Sequence, residues 1–298
     1  GHGQQPERRS ADRGMNTIRI QRNEKYMAGR DSADGHGSGH SHGTADIHGF
    51  ADIHGFVDIH THILPGVDDG AASLEQSIRM VRIAAMEGIS RIILTPHQRA
   101  DRRCVTPEGI DRRMKLLQEE IDRQKIPVRL YPGSELFYRH GIEEFLAEGK
   151  LRTLADSSYC LVEFFPEENY AYIRDGLNRL ASYGYHPILA HVERYERLME
   201  EGRAQELKRE TGCLYQVNAA SLSGETGFVY KSRSRKLLKN ELVDFVATDA
   251  HNEKERAPRI ARCADWLEKR LGAQERKRLL TDNPAAVLAD RELPDRRF

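Results

Sequence analysis

The chain has 298 residues, with 46 basic and 46 acidic side chains and a formal charge of zero, a balance that gives no electrostatic case for nucleic acid. No apolar run approaches the roughly 18 residues needed to span a bilayer, and the polar N-terminus has no signal-peptide core. The four cysteines, Cys104, Cys160, Cys213 and Cys263, are far apart; a disulfide framework is not expected, and a soluble, cytoplasmic chain is.

Residues 1 to 44 are rich in Gly, Ser, Arg, Asp and His with few large apolar side chains, the composition of a disordered extension. His36, His40 and His42 lie in a Gly/Ser-His tract, read as inert rather than as a metal-binding tail. A repeat follows: Ala45-Asp46-Ile47-His48-Gly49-Phe50, then Ala51-Asp52-Ile53-His54-Gly55-Phe56, then Val57-Asp58-Ile59-His60. Only the third copy continues into a second histidine, so the extension is expected to run through residue 56 and a single domain from 57 to about 290.

Val57 to Ile63 alternates as a strand does. Val57, Ile59, Thr61 and Ile63 fall on one face; Asp58, His60 and His62 fall on the other. Pro65-Gly66 ends the strand, and Asp68-Asp69-Gly70 places carboxylates on a turn. Ser73 caps a helix to about Glu87. Ile89 to Thr95 is a buried strand ending in Pro96-His97. Thr106-Pro107 opens a helix to about Gln124. Val128 to Glu135 reads as one strand ending in Glu135, and a short helix follows over 142–148. Tyr159 to Phe164 is a strand carrying Glu163, with a helix from Tyr172 to Tyr183. Pro187 to Arg194 reads as a strand through His191, with a helix over 200–210. Cys213 to Asn218 is a strand, followed by a loop from Ser221 to Gly227 and a helix from Ser232 to Lys239. Leu242 to Thr248 is a buried strand ending in Asp249-Ala250-His251. Helices over 259–271 and 274–288 close the chain. Strand and helix alternate about seven times, which predicts an α/β fold with a parallel sheet. Polar residues recur at the strand ends, as in a closed TIM-like barrel.

Nine residues gather at or near those ends: His60, His62, Asp69, His97, Glu135, Glu163, His191, Asp249 and His251. Of 13 histidines six precede Val57, and five of the remaining seven belong to this set; His140 and His186 do not. Scattered surface histidines would fall on helices as often as at strand ends. Imidazoles with carboxylates suit Zn²⁺, Mn²⁺ or Fe. Nine donors exceed one ion, so two or three ions with bridging carboxylates are expected, an arrangement used for phosphoryl hydrolysis. Arg194 follows His191 by three residues and Arg256 follows His251 by five; a guanidinium binds phosphate bidentately. Arg99, Arg102 and Arg103 form the alternative clamp. A cysteine-phosphatase motif, C-x₅-R, is missing: the residues six after each cysteine are Ile110, Pro166, Ala219 and Lys269.

The stretches Asp58-Ile59-His60-Thr61-His62, Thr95-Pro96-His97, Gly133-Ser134-Glu135-Leu136, Val162-Glu163-Phe164, Ala190-His191-Val192-Glu193-Arg194 and Thr248-Asp249-Ala250-His251-Asn252 together resemble the polymerase-and-histidinol-phosphatase (PHP) domain. Within it, H-x-H-I-L-P-G-x-D-D-G and A-H-x-E-R are similar to the manganese-dependent protein-tyrosine phosphatases of bacterial capsule and exopolysaccharide operons. The resemblance covers Val57 to Leu288. It implies a distorted (β/α)₇ barrel and a three-metal Mn²⁺ site, with Fe or Zn as alternatives. One ion would take His60, His62, Glu135 and Asp249; a second Glu135, Glu163 and His191; a third Asp69, His97 and His251. The implied substrate is phosphotyrosine on the tail of a bacterial tyrosine autokinase. Hydroxide activated by the ions would attack phosphorus in line, with Arg194 and Arg256 neutralising the equatorial oxygens. The alternatives are a small-molecule phosphatase of the histidinol-phosphate type and a low-turnover scaffold of polysaccharide assembly.

Overall fold

A computed structural model describes residues 54–294; of the extension expected through residue 56, residues 1–53, with the first hexad and half of the second, lie outside them. Among the described residues nine strands form: β1 (Phe56–Thr61), β2 (Ile89–Leu94), β3 (His97–Gln98), β4 (Arg129–Tyr131), β5 (Glu135–Phe137), β6 (Tyr159–Glu163), β7 (His186–Leu189), β8 (Leu214–Asn218) and β9 (Phe245–Ala247). All pairings are parallel: β1 with β2 and β2 with β4, then β3, β5, β6, β7, β8 and β9 in order. β3 continues the path of β2 and β5 that of β4, so the nine strands occupy seven positions. The ring closes where Thr61 bridges Ala250. There His62 N–H donates to the Ala250 carbonyl at 2.8 Å and Asp249 N–H to the His60 carbonyl at 2.8 Å. This is the expected distorted (β/α)₇ barrel.

Among the described residues ten α-helices accompany the strands: α1 (Leu74–Met86), α2 (Pro107–Arg123), α3 (Ile142–Ala147), α4 (Tyr170–Ser182), α5 (Arg203–Thr211), α6 (Ala219–Ser223), α7 (Phe228–Lys239), α8 (Ala261–Leu271), α9 (Ala273–Lys277) and α10 (Asn283–Leu288). Ser73, Thr106 and Asn169 cap α1, α2 and α4 by accepting backbone N–H groups of the first turn. Alternation sorts the strand side chains. Cys160, Val162, Tyr215, Val217 and Val246 join the larger core together with apolar helix residues such as Leu177, Leu207 and Leu267. Val57, Ile59, Leu161, Ile188, Phe245 and Ala247 fill a second core inside the barrel, joined by Val287 and Leu288 of α10. The inner face then turns polar toward the strand C-termini, at Glu163, Gln216, Asn218 and Asp249.

Four expectations are corrected. The single strand expected from Val128 to Glu135 breaks at Pro132-Gly133-Ser134: Pro132 has no N–H, its carbonyl accepts Ala155 N–H, and Ser134 Oγ donates to the Arg152 carbonyl. The strand expected through Arg194 stops at Leu189, and Val192–Arg194 form a 3-10 turn. The loop expected from Ser221 contains part of α6, and α7 begins at Phe228 rather than Ser232. The helix expected over 274–288 is three pieces, with a π-type segment at Arg278–Asp282 ahead of Pro284.

Candidate metal centre

In β1 strict alternation fails. Three steps from Asp58 to Thr61 face two steps of β2, from Ile92 to Leu94. Such a bulge re-aims side chains. Asp58, expected on one face with His60 and His62, instead ties the closing seam. Its carboxylate accepts Thr248 N–H at 3.0 Å and the Thr248 hydroxyl. Burial pushes its pKa up to about 6 against those donors. His60 and His62 do converge, with their Nε2 atoms 3.3 Å apart.

Glu135, at the start of β5 and 1% exposed, is the hub. Its Oε2 lies 3.2 Å from Nε2 of His60, His62 and His97, and its Oε1 lies 3.0 Å from Nε2 of His191. Glu163 adds oxygens 3.6 Å from His97 and 3.5 Å from His191. Asp249 Oδ1 is 3.4 Å from His60 and 3.6 Å from His62. Asp69 is largely exposed at the rim, with Oδ1 3.2 Å from His97 Nδ1 and 3.5 Å from His251 Nε2. All nine expected residues therefore fall in one cluster. His191 (φ 37°) and Asp249 (φ 53°) reach it through left-handed backbone, uncommon outside glycine but adopted by His and Asp more readily than by most residues.

The donor chemistry fits metal ions. His60 Nδ1 donates to Gln216 Oε1 at 3.0 Å, His62 Nδ1 to Asp68 Oδ2 at 2.8 Å, and His251 Nδ1 to the Asp249 carbonyl at 3.0 Å. Each bond fixes the tautomer that leaves the Nε2 lone pair free for an ion. Electrostatics agree. Burial opposes charge on His60, but Glu135 and Asp249 beside it hold its pKa up at about 9. Burial likewise opposes charge on His97, and Asp68 and Glu135 raise it to about 11. Burial and the neighbouring His62 push His251 down to about 4. Burial works against the Glu135 carboxylate, yet the histidines around it, His60 first, hold it well below the usual range. Buried, mutually charged imidazoles and carboxylates of this kind are where cations replace protons.

Both arginines reach the cluster. Arg194 Nη2 donates to Asp249 Oδ2 at 2.7 Å, and Arg256 Nη2 lies 2.9 Å from the same oxygen. Arg99 pairs with Asp101 at 2.8 Å, and Arg102 and Arg103 are exposed.

Three residues were missed in the sequence. Asp68 is far more buried than Asp69, and its Oδ2 also accepts His97 N–H at 3.0 Å. Gln216 Oε1 accepts His191 N–H at 2.9 Å in addition to His60, its Nε2 donates to Asn218 Oδ1 at 2.8 Å, and Asn218 Nδ2 donates to Asp249 Oδ2 at 2.9 Å. This directed chain connects β1, the turn after β7, β8 and Asp249. The signal was present in the paired carboxylates of the turn and the polar inner face of the strand ending at Asn218. Glu193 of A-H-x-E-R accepts Asn218 N–H at 3.0 Å, anchoring the Arg194 turn to β8.

A closed seven-position parallel barrel with a His-carboxylate cluster at its strand C-termini has the architecture of the metal-dependent barrel hydrolases. The chain belongs to the family described as capsular polysaccharide synthesis, CpsB/CapC, whose profile matches residues 56–289. It is 33% identical over 236 residues to tyrosine-protein phosphatase CpsB of Streptococcus pneumoniae, covering 77% of this chain and 97% of that protein. It is 33% identical over 232 residues to tyrosine-protein phosphatase YwqE of Bacillus subtilis (strain 168), covering 78% and 91%. A crystal structure from work on YwqE and CpsB, described as unique metal-dependent tyrosine phosphatases, superposes with a TM-score of 0.75 at 32% identity, covering 80% of this chain and 96% of that one. A mutant organophosphorus hydrolase from Deinococcus radiodurans, 11% identical, shares the fold alone, with a TM-score of 0.50 over 78% of this chain and 92% of that one.

Proposed function

We propose that this chain is a metal-dependent protein-tyrosine phosphatase acting on phosphotyrosine in a bacterial tyrosine autokinase of capsule or exopolysaccharide synthesis. The observation that carries the reading is Glu135, ringed by four imidazole Nε2 atoms within 3.2 Å, beside two guanidiniums that share Asp249. Residues 57–290 form the catalytic domain, and the nine clustered residues bind the ions, three Mn²⁺ in the preferred reading and Fe or Zn otherwise. The cytoplasm is the proposed compartment; among the described residues no helix is long and apolar enough to cross a membrane.

Bound divalent ions supply Lewis-acid activation of a water molecule and charge neutralisation at phosphorus. Gln216, Asp68 and the Asp249 carbonyl hold three imidazoles in the ligating tautomer. Arg194 and Arg256 take phosphoryl oxygens, for which the Asp249 carboxylate otherwise competes. The leaving phenolate, with a pKa near 10, departs without a dedicated acid. Cys160, Cys213 and Cys263 take no part: burial pushes the thiols of Cys160 and Cys263 up to about 12 and that of Cys213 to about 11.

The test assays a phosphotyrosyl peptide and histidinol phosphate side by side with Mn²⁺. The expected result is preferential hydrolysis of the peptide. Preference for histidinol phosphate would assign a small-molecule phosphatase, and turnover of neither would leave a scaffold.

A further inference from the structure

Three adjacent strand positions that carry candidate ligands each place a second kind of residue two positions further on. Arg99 follows His97, Phe137 follows Glu135, and Phe165 follows Glu163. Phe137, two positions beyond Glu135 within β5, lies on the same face about 6.6 Å further along, and Arg99 and Phe165, just past the ends of β3 and β6, pack against it beside the metal centre. They form a single unit. The Phe137 and Phe165 rings meet edge to face, with centroids 4.8 Å apart. The Arg99 guanidinium lies 4.1 Å from the Phe137 centroid, and that of Arg139 lies 4.9 Å from Phe137 and 5.1 Å from Phe165. Asp101 pairs with both arginines, at 2.8 and 3.4 Å. Two cations against one anion leave this wall positive.

Phe137 is nearly covered at 7% exposed, and Phe165 is left open at 46%. A lone exposed phenylalanine needs no explanation. This one sits on a fixed aromatic and guanidinium backing, continuous with the candidate catalytic centre, and its packing leaves part of the ring uncovered. We propose that Phe165, supported by Phe137, Arg99 and Arg139, is the subsite for the phenyl ring of phosphotyrosine and sets the preference for aryl over alkyl phosphates. The inference rests on the phosphatase reading and specifies how its substrate is chosen. Ring-on-ring packing at such a wall favours an aryl group over a flexible alkyl chain, and the net positive charge attracts the dianion it carries.

The experiment uses the Mn²⁺-loaded protein and its Phe165→Ala, Phe165→Leu and Phe165→Tyr variants. Hydrolysis of a phosphotyrosyl peptide is measured, with inhibition constants for phenylphosphonate and methylphosphonate. Phe165→Ala and Phe165→Leu should weaken phenylphosphonate about tenfold and leave methylphosphonate unchanged. Phe165→Tyr should match the parent, because the ring and not mere apolar area is what counts. An active parent whose aryl-to-alkyl inhibition ratio is the same in all variants overturns the subsite alone. A metal-loaded parent that leaves the peptide intact overturns the phosphatase reading, and the subsite falls with it.

Discussion

Glu135 and Asp249 are each buried among several imidazoles, so neither is replaceable without exposing a charge imbalance in a dry site. Changing His60, Glu135 or Asp249 to Ala should lower metal content and rate together. Gln216→Leu belongs with them although it touches no ion: it removes the acceptor for His60 Nδ1–H, and metal affinity should fall by roughly 10–100-fold. Arg194→Ala and Arg256→Ala should differ in kind. Each leaves Asp249 one guanidinium and its histidines, so metal content should hold, while kcat/KM falls by roughly 10²–10³. Lys should rescue poorly at either position. Elemental analysis beside kinetics separates the two classes, and near-normal rates for both arginine variants would move the phosphate clamp elsewhere. Acid–base behaviour follows from the same contacts. The folded-state pKa of His60, about 9, exceeds its ordinary value near 6.5. Its contribution to stability is full below pH 6.5 and is lost as pH rises toward 9. His251, at about 4, acts oppositely, losing its contribution as pH falls from 6.5 toward 4. Chelator-treated protein should therefore lose thermal stability as pH rises from 6.5 to 9, and a flat profile over that range would contradict these contacts.

Among the elements, the turn after β1 is the least tolerant. A Cβ on Gly70 would collide with the His62 carbonyl oxygen and lie 2.5 Å from His62 Cβ. That carbonyl is already held by Ala71 N–H at 3.0 Å and cannot retreat. Gly70→Ala should cost about 1–3 kcal/mol, and it should lower metal content by shifting Asp68 and Asp69. Denaturant midpoints with elemental analysis test this; a destabilised variant with full metal content would detach the turn from the site. Elements with strong local signals were legible in the sequence: Ser73 and Thr106 start their helices as read. What was not legible arises from contacts between distant segments. The β1 bulge depends on register against β2, the break at Pro132-Gly133-Ser134 on partners at Arg152 and Ala155, and the left-handed turn at His191 on its place beside Glu135. Each of these departures lies at or next to a candidate ligand, where local preference yields to the geometry of the site.

At the scale of the whole molecule, seven strand positions close into a ring, and the inner face changes from apolar to polar along its length. That design was readable because ligand types recur at strand ends, which is why all nine candidate ligands could be named from sequence. Asp68, Gln216 and Asn218 escaped because residues that orient ligands need no motif of their own; only their partners identify them. The same layout brings Arg194 and Arg256 to the ion donors through Asp249, where the proposed charge neutralisation and metal chemistry would meet. Phosphotyrosine hydrolysis is expected to depend on ions held by this cluster and on no cysteine. The most direct test is to titrate Mn²⁺ into chelator-stripped protein while following phosphate release from a phosphotyrosyl peptide. No release is expected without metal, with a rise on adding Mn²⁺ that saturates once the cluster is filled; release that persists undiminished in excess chelator would rule out metal dependence.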